Sequence, residues 1–476
     1  MQTHSRRAGD VPGSDPLWGI ERPTRVQRLR LRPPEAIYLP LARASGGRAS
    51  ERSVAAHANA RLASVTIRER FPSGSFLRYW RAGAVSGLGT YVTLFALQAL
   101  VVLTLDGSAT DVGWLNAARW LPFLVFGLVV GALVDGRRRL PLMVSTDLLQ
   151  AALLLTIPLL WWLGLLSLPA LMVIVVGYGT ASVINVAAAM SLLPRLVERQ
   201  HLQPAHARID GADAVSATAG PAFGGLLVSA VGAPLAVLVD SLTYLYSALT
   251  LRRIELVEPA PRTGVTASGL LREVVDGVRW VYRDSGLRAL AIWTHAWFVG
   301  HAIVGVVLAP YVLRTLDLTA FQFGMIGAAG GVSAFLGATV TTWVGRRLGT
   351  GRTIIVCHLI TALGVIALVL AGQEMARAET VVVLVVGQGL YGLAMGMSNS
   401  HETSYRQLVT PDELQARTNT TLRSLNRAVI VVVAPLAGIL ADAWGIRPML
   451  VLAAGIFALV AAGLGASSFR DVRAPA

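Results

Sequence analysis

The chain has 476 residues and a formal net charge of +14, with 54% hydrophobic and only 14% charged side chains. A soluble protein carries about 25% charged residues, so this composition excludes an ordinary water-soluble domain and places most of the surface in lipid. All the basic residues apart from histidine are arginines, and most of those beyond residue 75 stand between apolar runs. We therefore attribute the charge to membrane topology and expect no nucleic-acid partner. The single cysteine, Cys357, excludes an intramolecular disulfide framework.

Residues 1–75 form a polar segment rich in Arg and Pro, with 13 arginines against 6 acidic residues. No apolar core follows Arg6 and Arg7, so the segment does not read as a secretory signal peptide. We predict a disordered cytoplasmic extension. The alternatives are a tail held to anionic lipid and a start codon assigned too far upstream.

Twelve apolar runs follow this segment. Most approach the roughly 20 residues that a helix needs to cross a bilayer, whereas a membrane barrel would show alternating segments of about ten residues. We therefore predict an all-α membrane protein with twelve transmembrane helices. Runs 1 to 12 span Ala82–Leu105, Val112–Val134, Leu140–Leu163, Leu168–Leu193, Ala214–Val231, Pro234–Leu251, Ala289–Leu313, Phe321–Val344, Thr353–Gly372, Val381–Asn399, Ala428–Trp444 and Pro448–Ala466.

The arginines set the predicted orientation. Loops after the even-numbered runs are rich in arginine, whereas the other loops carry one or none, so both termini are predicted to be cytosolic. The longest gap contains an amphipathic stretch, Leu270–Arg283, which is predicted to lie along the membrane surface. The predicted domains are a bundle at 76–251, a linker at 252–288, a second bundle at 289–468 and a tail at 469–476.

The two halves carry similar landmarks in the same order, at an offset of roughly 210 residues. Duplicated helical halves are common in secondary transporters, whose substrate site lies near the midplane between them. We therefore predict two pseudo-symmetric six-helix bundles. The paired landmarks are LVERQHLQ from Leu196 with LVTPDELQ from Leu408, GPAFGG from Gly220 with APLAG from Ala434, and Gly131–Arg139 with Gly337–Arg347.

Two motifs and two phrases carry a family resemblance. The turn after run 2 reads Gly131-x-Leu133-x-Asp135 and ends on Arg138 and Arg139, and the phrases LLPRLV (192–197) and YRQLVTPDELQAR (405–417) follow. Run 5 contains Gly220-Pro221-x-x-Gly224-Gly225. On these features, residues 76–468 resemble the major facilitator superfamily, most closely its bacterial exporters of siderophores, macrolides and other secondary metabolites, the transmembrane secretion effector type.

The chain departs from that family at two positions. Gly136 stands where a basic residue is usual in the loop motif. Thr90 stands where run 1 of these exporters often has an aspartate, after Ser86-Gly87-Leu88-Gly89. The second departure removes one common binding position for a proton or cation.

The resemblance implies roles for both motifs. Asp135, with Arg138 and Arg139, is predicted to make contacts that exist only while the cytoplasmic gate is shut, and such contacts bias the equilibrium between states. The alternative is that these charges only set topology. Gly220-Pro221 is predicted to kink run 5, and Gly224 and Gly225 to let another helix approach closely. The alternative there is an ordinary packing kink.

Charges inside lipid are costly and usually functional. Asp240 and Arg119 lie at similar predicted depths, so we predict an ion pair in which Asp240 exchanges a proton. The alternative is a static structural pair.

His301 in run 7 is a further candidate because imidazole titrates near neutral pH. Trp293 and Trp297 share its helical face and could stack a planar substrate; alternatively the tryptophans anchor in lipid and the histidine is hydrogen-bonded.

In the resembled family, helices 1, 4, 7 and 10 line the substrate cavity. Polar and aromatic side chains in the corresponding runs are therefore our cavity candidates, with ordinary interhelical packing as the alternative. They are Tyr91, Gln98, Tyr178, Asn185, Trp293, Trp297, Gln388 and Tyr391.

The sequence lacks a Walker loop, an HExxH helix and clustered metal ligands, so we expect no ATP-driven step, no enzyme activity, no metal and no cofactor. We predict a monomeric secondary transporter in the cytoplasmic (inner) cell membrane that exports hydrophobic or amphipathic small molecules by alternating access, with the proton gradient as its energy source. The alternatives are an exporter dedicated to one siderophore or antibiotic, and a non-transporting membrane scaffold or sensor.

Overall fold

The computed structural model describes residues 71–127, 130, 134, 137–256, 258, 267–283 and 285–473. The regular elements in these ranges are helices, which confirms the predicted all-α class. In the first half they are α1 (Gly74–Ala99, continued by a π-helical turn, Leu100–Thr104), α2 (Ala109–Phe126), α3 (Arg139–Trp162), α4 (Leu168–Leu196), α5 (Leu202–Val231) and α6 (Ala233–Leu251).

A short helix, α7 (Ala267–Arg283), separates this half from the next one. It covers the predicted amphipathic stretch. The second half contains α8 (Ser285–Pro310, continued by a π-helical turn, Tyr311–Thr315), α9 (Ala320–Leu348), α10 (Thr350–Leu370), α11 (Arg377–Val409), α12 (Asp412–Trp444) and α13 (Ile446–Ala466).

Eleven helices in the described part of the chain are long and apolar enough to cross a membrane. They coincide with every predicted run except run 2, where α2 is described as far as Phe126 and most of residues 128–136 lie outside the described set. Large apolar side chains stand exposed on these helices, among them Trp162 at 77% and Val173 at 73%. Lipid covers such a surface in a membrane protein. A twelfth spanning helix stays a prediction.

The largest differences from the predicted bounds are at the starts of two helices. Helix α5 begins at Leu202 rather than Ala214, and α12 begins at Asp412 rather than Ala428. Hydropathy marks only the part of a helix that lies in lipid. The residues of α5 and α12 that precede these two runs include Ala, Leu, Gln, Arg and Glu, which are good helix formers, so each helix begins before its apolar run. Arg208, Arg417 and Arg423, predicted in loops, therefore lie on helices.

Five helix pairs build the first half: α1 packs on α5 and α6, α3 packs on α4 and α6, and α2 packs on α4. The same relations recur in the second half, where α8 packs on α12 and α13, α10 on α11 and α13, and α9 on α11. The main contacts between the halves are α2 with α12 and α5 with α9. Movement of one half against the other must therefore change these two helix pairs.

The linker is tied to both halves. Glu258 accepts hydrogen bonds from the backbone N–H groups of Arg139 (2.7 Å) and Leu140 (2.8 Å), and so caps the first turn of α3. A carboxylate at this position complements the free amides and the dipole of a helix N-terminus. Farther along, Asp276 of α7 lies 3.6 Å from Arg417 of α12. The location of α7 at the membrane surface stays a prediction.

Candidate substrate and coupling site

The predicted gating motif is only partly described. Gly131 and Asp135 lie outside the described residues, so the predicted gate contacts of Asp135 stay a prediction. Arg138 is exposed, whereas Arg139 is 8% exposed and begins α3. The Arg139 backbone is the part of this motif that Glu258 caps.

The glycine motif of α5 lies between two other helices. Gly220 and Gly224 pack against Tyr91 and Phe95 of α1. On the opposite side, Gly225 meets α9: a Cβ atom at this position would lie 2.6 Å from the carbonyl oxygen of Ala320. The motif thus brings α5 against both α1 in its own half and α9 in the other half.

The halves are also joined by polar contacts at the end of the bundle opposite the Arg137–Arg139 turn. Asp442, at the end of α12, accepts hydrogen bonds from the N–H groups of Ala109 (3.1 Å) and Thr110 (3.0 Å) and from the Thr110 hydroxyl (2.6 Å). It therefore caps the N-terminus of α2 across the interface. The sequence analysis did not predict this role, although the position of Asp442 near the end of an apolar run marks it as a candidate helix-capping acid.

Two further contacts accompany this cap. The Ser229 hydroxyl accepts a hydrogen bond of 2.9 Å from the N–H of Phe321, at the start of α9. Arg314 pairs with Asp106 at 2.6 Å and also donates to the Val102 carbonyl oxygen. We call Asp106, Ser229, Arg314 and Asp442 the inter-half clasp. It holds this end of the bundle closed in the described structure.

Asp240 of α6 is fully buried at 0% exposure. Its Oδ1 accepts a 2.8 Å hydrogen bond from the Thr243 hydroxyl, and its Oδ2 has no hydrogen-bond partner in the described structure. The carboxylate lies against Gly89 of α1, where a Cβ atom would overlap it. A glycine at this position is what makes room for the buried acid.

The predicted Asp240–Arg119 ion pair was wrong. No carboxylate lies within 4.0 Å of the Arg119 guanidinium among the described side chains; its carbon Cζ instead lies 4.5 Å from the ring centroid of Trp120. The position of each residue in its apolar run predicts how deep its charge lies in the membrane, but not the direction in which the side chain points. The described structure shows no ion pair between the two charges.

A second arginine, Arg427, lies close to Arg119. The sequence analysis did not predict Arg427 as a site residue. The Cζ of Arg427 on α12 lies 3.6 Å from the same Trp120 centroid, so the two guanidinium carbons are at most about 8 Å apart. At an effective dielectric constant near 20, two such charges repel by about 2 kcal/mol. We call Arg119 and Arg427 the arginine pair. The predicted start of run 11 at Ala428 had left Arg427 in a loop.

A chain of hydroxyl groups connects helices α1, α4 and α6. The Thr90 hydroxyl donates to the Ser86 carbonyl oxygen at 2.9 Å, so its contact with Tyr244 (2.9 Å) requires Tyr244 to donate. Tyr178 must then donate to Tyr244, also at 2.9 Å. The hydroxyl groups of Tyr178 and Tyr244 lie close enough to the Arg119 guanidinium to interact with its charge.

A pocket opens beside this chain. Its polar lining combines the Arg119 guanidinium, the Trp120 indole and the hydroxyls of Thr90, Tyr178 and Ser182. Leu94 and Phe123 supply an apolar wall. Of the predicted cavity candidates, Tyr178 lines this pocket, and Tyr91 points its hydroxyl at Asp213, 3.4 Å from each carboxylate oxygen.

The second half places its aromatic candidates in a packed cluster. Trp297 stacks on His301 with ring centroids 4.9 Å apart, and His301 Nδ1 lies 2.6 Å from the Tyr391 hydroxyl oxygen. Phe457 closes the cluster at 5.9 Å from Trp297 and from Tyr391. Trp293 is not part of it and covers Gly463 of α13 instead. This arrangement matches a hydrogen-bonded histidine inside a core.

The remaining candidates lie apart from that cluster. Gln388 packs against Gly330 of α9, and Gln98 is partly buried on α1. Asn185 donates a 2.7 Å hydrogen bond to Asp147, whose other oxygen accepts one of 2.6 Å from Ser247. Asp147 is 3% exposed and was missed, although a lone acid in run 3 was a visible signal.

Asp147 and Asn185 border a second pocket, of about 650 Å³, in the first half. Asp213 and Ser216 of α5 face the same space. In the described ranges no group of three or more His, Cys, Asp or Glu side chains could hold a metal ion. The polar interior is therefore built from carboxylates, amides and hydroxyls that lie on several helices.

Solved structures with the same fold include a bacterial homologue of the iron transporter ferroportin in an inward-facing state, with a TM-score of 0.68 and 15% identity over 83% of this chain and 98% of that one. The nucleoside transporter NupG matches with a TM-score of 0.65 and 12% identity, over 83% of this chain and 98% of its own. At these identities the likeness establishes the fold alone.

Curated relatives are closer in sequence. The multidrug efflux pump Tap of Mycolicibacterium fortuitum is 27% identical over 79% of this chain and 91% of its own length. An uncharacterised MFS-type transporter, y4rN, of Sinorhizobium fredii is 26% identical over 71% of this chain and 82% of its own length. The macrolide efflux protein A of Streptococcus pyogenes is 26% identical over 46% of this chain and 53% of its own.

The sequence profile of the transmembrane secretion effectors matches residues 70–474, which is nearly all of the helical part of the chain. The helical fold, the apolar helices and the relatives agree with that match. The chain therefore belongs to the transmembrane secretion effector family of the major facilitator superfamily, a family of multi-pass membrane transporters and not of enzymes.

Proposed function

We propose that the protein exports hydrophobic or amphipathic small molecules across the cytoplasmic membrane by alternating access, in exchange for protons. The names of its relatives, a multidrug efflux pump and a macrolide efflux protein, support drug-like substrates. The observation that carries the proposal is Asp240, a fully buried carboxylate with one unpartnered oxygen, four residues before the hydroxyl chain at Tyr244.

The coupling step follows from the cost of burying charge. An ionised carboxylate inside a protein is costly unless it is paired, and binding a proton removes that cost. Asp240 has no cationic partner within 4.0 Å among the described residues. The hydroxyls of Tyr244 and Tyr178 lead from its helix to the pocket beside Arg119. Proton loss at Asp240 would thus create a negative charge close to the substrate pocket.

Alternating access requires a seam that opens at one end while it closes at the other. The inter-half clasp joins the halves at one end of the bundle, and the arginine-rich loops at the other end support an outer location for the clasp. The described structure then corresponds to an outward-closed state. Since the pocket and seam lie within one chain, the proposed working unit is a monomer.

The proposal is tested by transport in liposomes that contain the purified protein. With an imposed pH gradient, we expect the wild type to accumulate a radiolabelled macrolide and a proton uncoupler to abolish the accumulation. Asp240→Asn removes the exchangeable proton but keeps the shape of the side chain. We expect this variant to lose accumulation against a gradient while it still moves the macrolide down a concentration gradient.

Asp210→Asn is the matched control, because Asp210 is an exposed carboxylate on α5. It should transport as the wild type does. Full gradient-driven accumulation by Asp240→Asn would remove Asp240 from the coupling role. An absence of flux in the wild type for every compound tested would favour the scaffold or sensor alternative, and flux restricted to one siderophore or antibiotic would favour the dedicated exporter.

A further inference from the structure

The arginine pair lies at the contact between the two halves, and the structure describes no acidic partner for either guanidinium. Arg119 and Arg427 come from different halves, on α2 and α12, and both lie against the ring of Trp120. Neither guanidinium has a carboxylate within 4.0 Å among the side chains that the structure describes. Charges in a membrane interior usually pair with each other or serve a substrate path. Here two positive charges lie against the ring of Trp120.

The pocket beside the pair has no negative charge in its lining. Its polar groups are the Arg119 guanidinium, the Trp120 indole and three hydroxyls, and the rest of the lining is apolar or glycine. This differs from the pocket at Asp147 and Asp213, which carries two carboxylates. A site that recognises a cationic drug needs an acid or a free aromatic face. The Trp120 ring already faces both guanidinium groups.

We propose that this pocket binds the carboxylate of an amphipathic organic acid at the Arg119 guanidinium, and that Arg427, which lies against the same Trp120 ring, adds positive charge beside the site. A guanidinium binds a carboxylate through two parallel N–H···O bonds, which makes arginine the preferred residue for this group. A carboxylate bound at Arg119 also offsets the repulsion between the two guanidinium groups. Leu94 and Phe123 would contact the apolar body of the molecule.

The location of the pair ties recognition to transport. Since α2 and α12 form one of the two main contacts between the halves, rocking of the halves changes the distance between Arg119 and Arg427. A bound carboxylate then has different affinity in the two states, and that difference is what allows a ligand to shift the equilibrium. This inference rests on the proposed export function and adds a substrate class to it.

The test is a binding measurement with two probes that differ only in charge, 1-pyrenebutyrate and its neutral amide. The protein is held in nanodiscs of phosphatidylcholine, so that no anionic lipid competes, and binding is followed by pyrene fluorescence. We expect the acid to bind at least about tenfold more tightly than the amide, as a charge-assisted bidentate contact requires. Arg119→Gln and Arg427→Gln should each weaken acid binding about tenfold and leave amide binding unchanged.

Arg423→Gln is the matched control, since Arg423 is an exposed arginine one turn before Arg427 on the same helix. It should bind both probes as the wild type does. If a glutamine variant does not fold, Arg119→Lys keeps the charge and loses the planar fork; it should retain a reduced preference for the acid. Thermal unfolding of each variant separates loss of binding from loss of fold.

Several outcomes would overturn the inference: equal binding of the acid and the amide, no binding of either, or an unchanged preference in both arginine variants. Sodium chloride, inorganic phosphate and phosphatidylglycerol are also tested as competitors for binding of the acid. If any of these displaces the acid at equal concentration, the site is a general anion or lipid site and the inference fails.

The result is separable from the export proposal. Acid-specific binding without proton-driven flux would leave the inference intact and refute the export function. Proton-driven export of neutral compounds with no preference for the acid would do the reverse.

Discussion

At the scale of single residues, Gly225 decides how closely the two halves approach. A Cβ atom there would lie 2.6 Å from the Ala320 carbonyl oxygen and 2.9 Å from the Gly324 Cα atom, both in the backbone of α9. Backbone atoms cannot move aside as a flexible side chain can. Overpacking of this kind usually costs about 1–3 kcal/mol.

We therefore expect Gly225→Ala to separate α5 from α9, lowering the temperature of unfolding in detergent by several degrees and reducing transport. Gly305→Ala is the control, because a Cβ atom at Gly305 would meet nothing within 4 Å. Unfolding of both variants is followed by differential scanning fluorimetry. Equal unfolding temperatures for Gly225→Ala and the wild type would show that the close contact is not required.

Asp240 supplies an acid close to the α1 position at which the resembled family often has an aspartate. The resemblance placed an aspartate of α1 after Gly89, and this chain has Thr90 there. The carboxylate of Asp240, from α6, lies directly against Gly89 instead. An acid is thus present in the same neighbourhood although it comes from a different helix.

At the scale of helices, the cap that Asp442 forms on α2 links the stability of one helix to the closure of the bundle. Its carboxylate accepts from two backbone N–H groups and one hydroxyl of α2, and all three contacts cross between the halves. Loss of a side-chain cap typically costs about 1 kcal/mol. This cost falls on the closed state only, because opening of that end breaks the contact.

We expect Asp442→Ala to shift the population away from the outward-closed state by roughly fivefold, which corresponds to about 1 kcal/mol. Spin labels on either side of the clasp would report the change as a longer distance in double electron–electron resonance. Asp111→Ala is the control: Asp111 forms a capping box with Ser108 within α2 itself. It should destabilise the helix without a change in the distance distribution, and an equal shift in both variants would contradict the clasp.

At the scale of the whole molecule, the proposed alternating access requires the two halves to separate at each end in turn. The Thr110 hydroxyl and the Asp442 carboxylate are 2.6 Å apart and belong to different halves. Cysteines at these two positions, in a Cys357→Ser background, should join through a short thiol-reactive cross-linker. The cross-link would prevent opening at the clasp end.

We expect cross-linked Thr110→Cys/Asp442→Cys protein to lose transport almost completely, with recovery when a reducible linker is cleaved. The control is Arg352→Cys/Asp471→Cys, at an exposed ion pair of 3.6 Å within the second half. That cross-link should leave transport intact. Liposome flux before and after cleavage gives the readout, and undiminished flux through the first cross-linked variant would exclude a moving seam there.

Much of the architecture could be predicted from the sequence. The apolar runs located eleven described helices, and the amphipathic stretch located α7. The glycine motif of run 5 marked the helix that lies between α1 and α9. Boundaries such as the start of α12 were missed because hydropathy reports immersion in lipid and not the length of a helix.

The sequence alone determined the class of protein, the helical segments and the family, because hydropathy, charge and short motifs are local properties of each segment. The tertiary structure decided which distant side chains meet. Arg119 with Arg427, Asp240 with Gly89, and Asp442 with the start of α2 are each brought together by helix packing. A helix can rotate about its axis without a change in composition, so the direction in which a buried charge faces follows only from the helices packed around it.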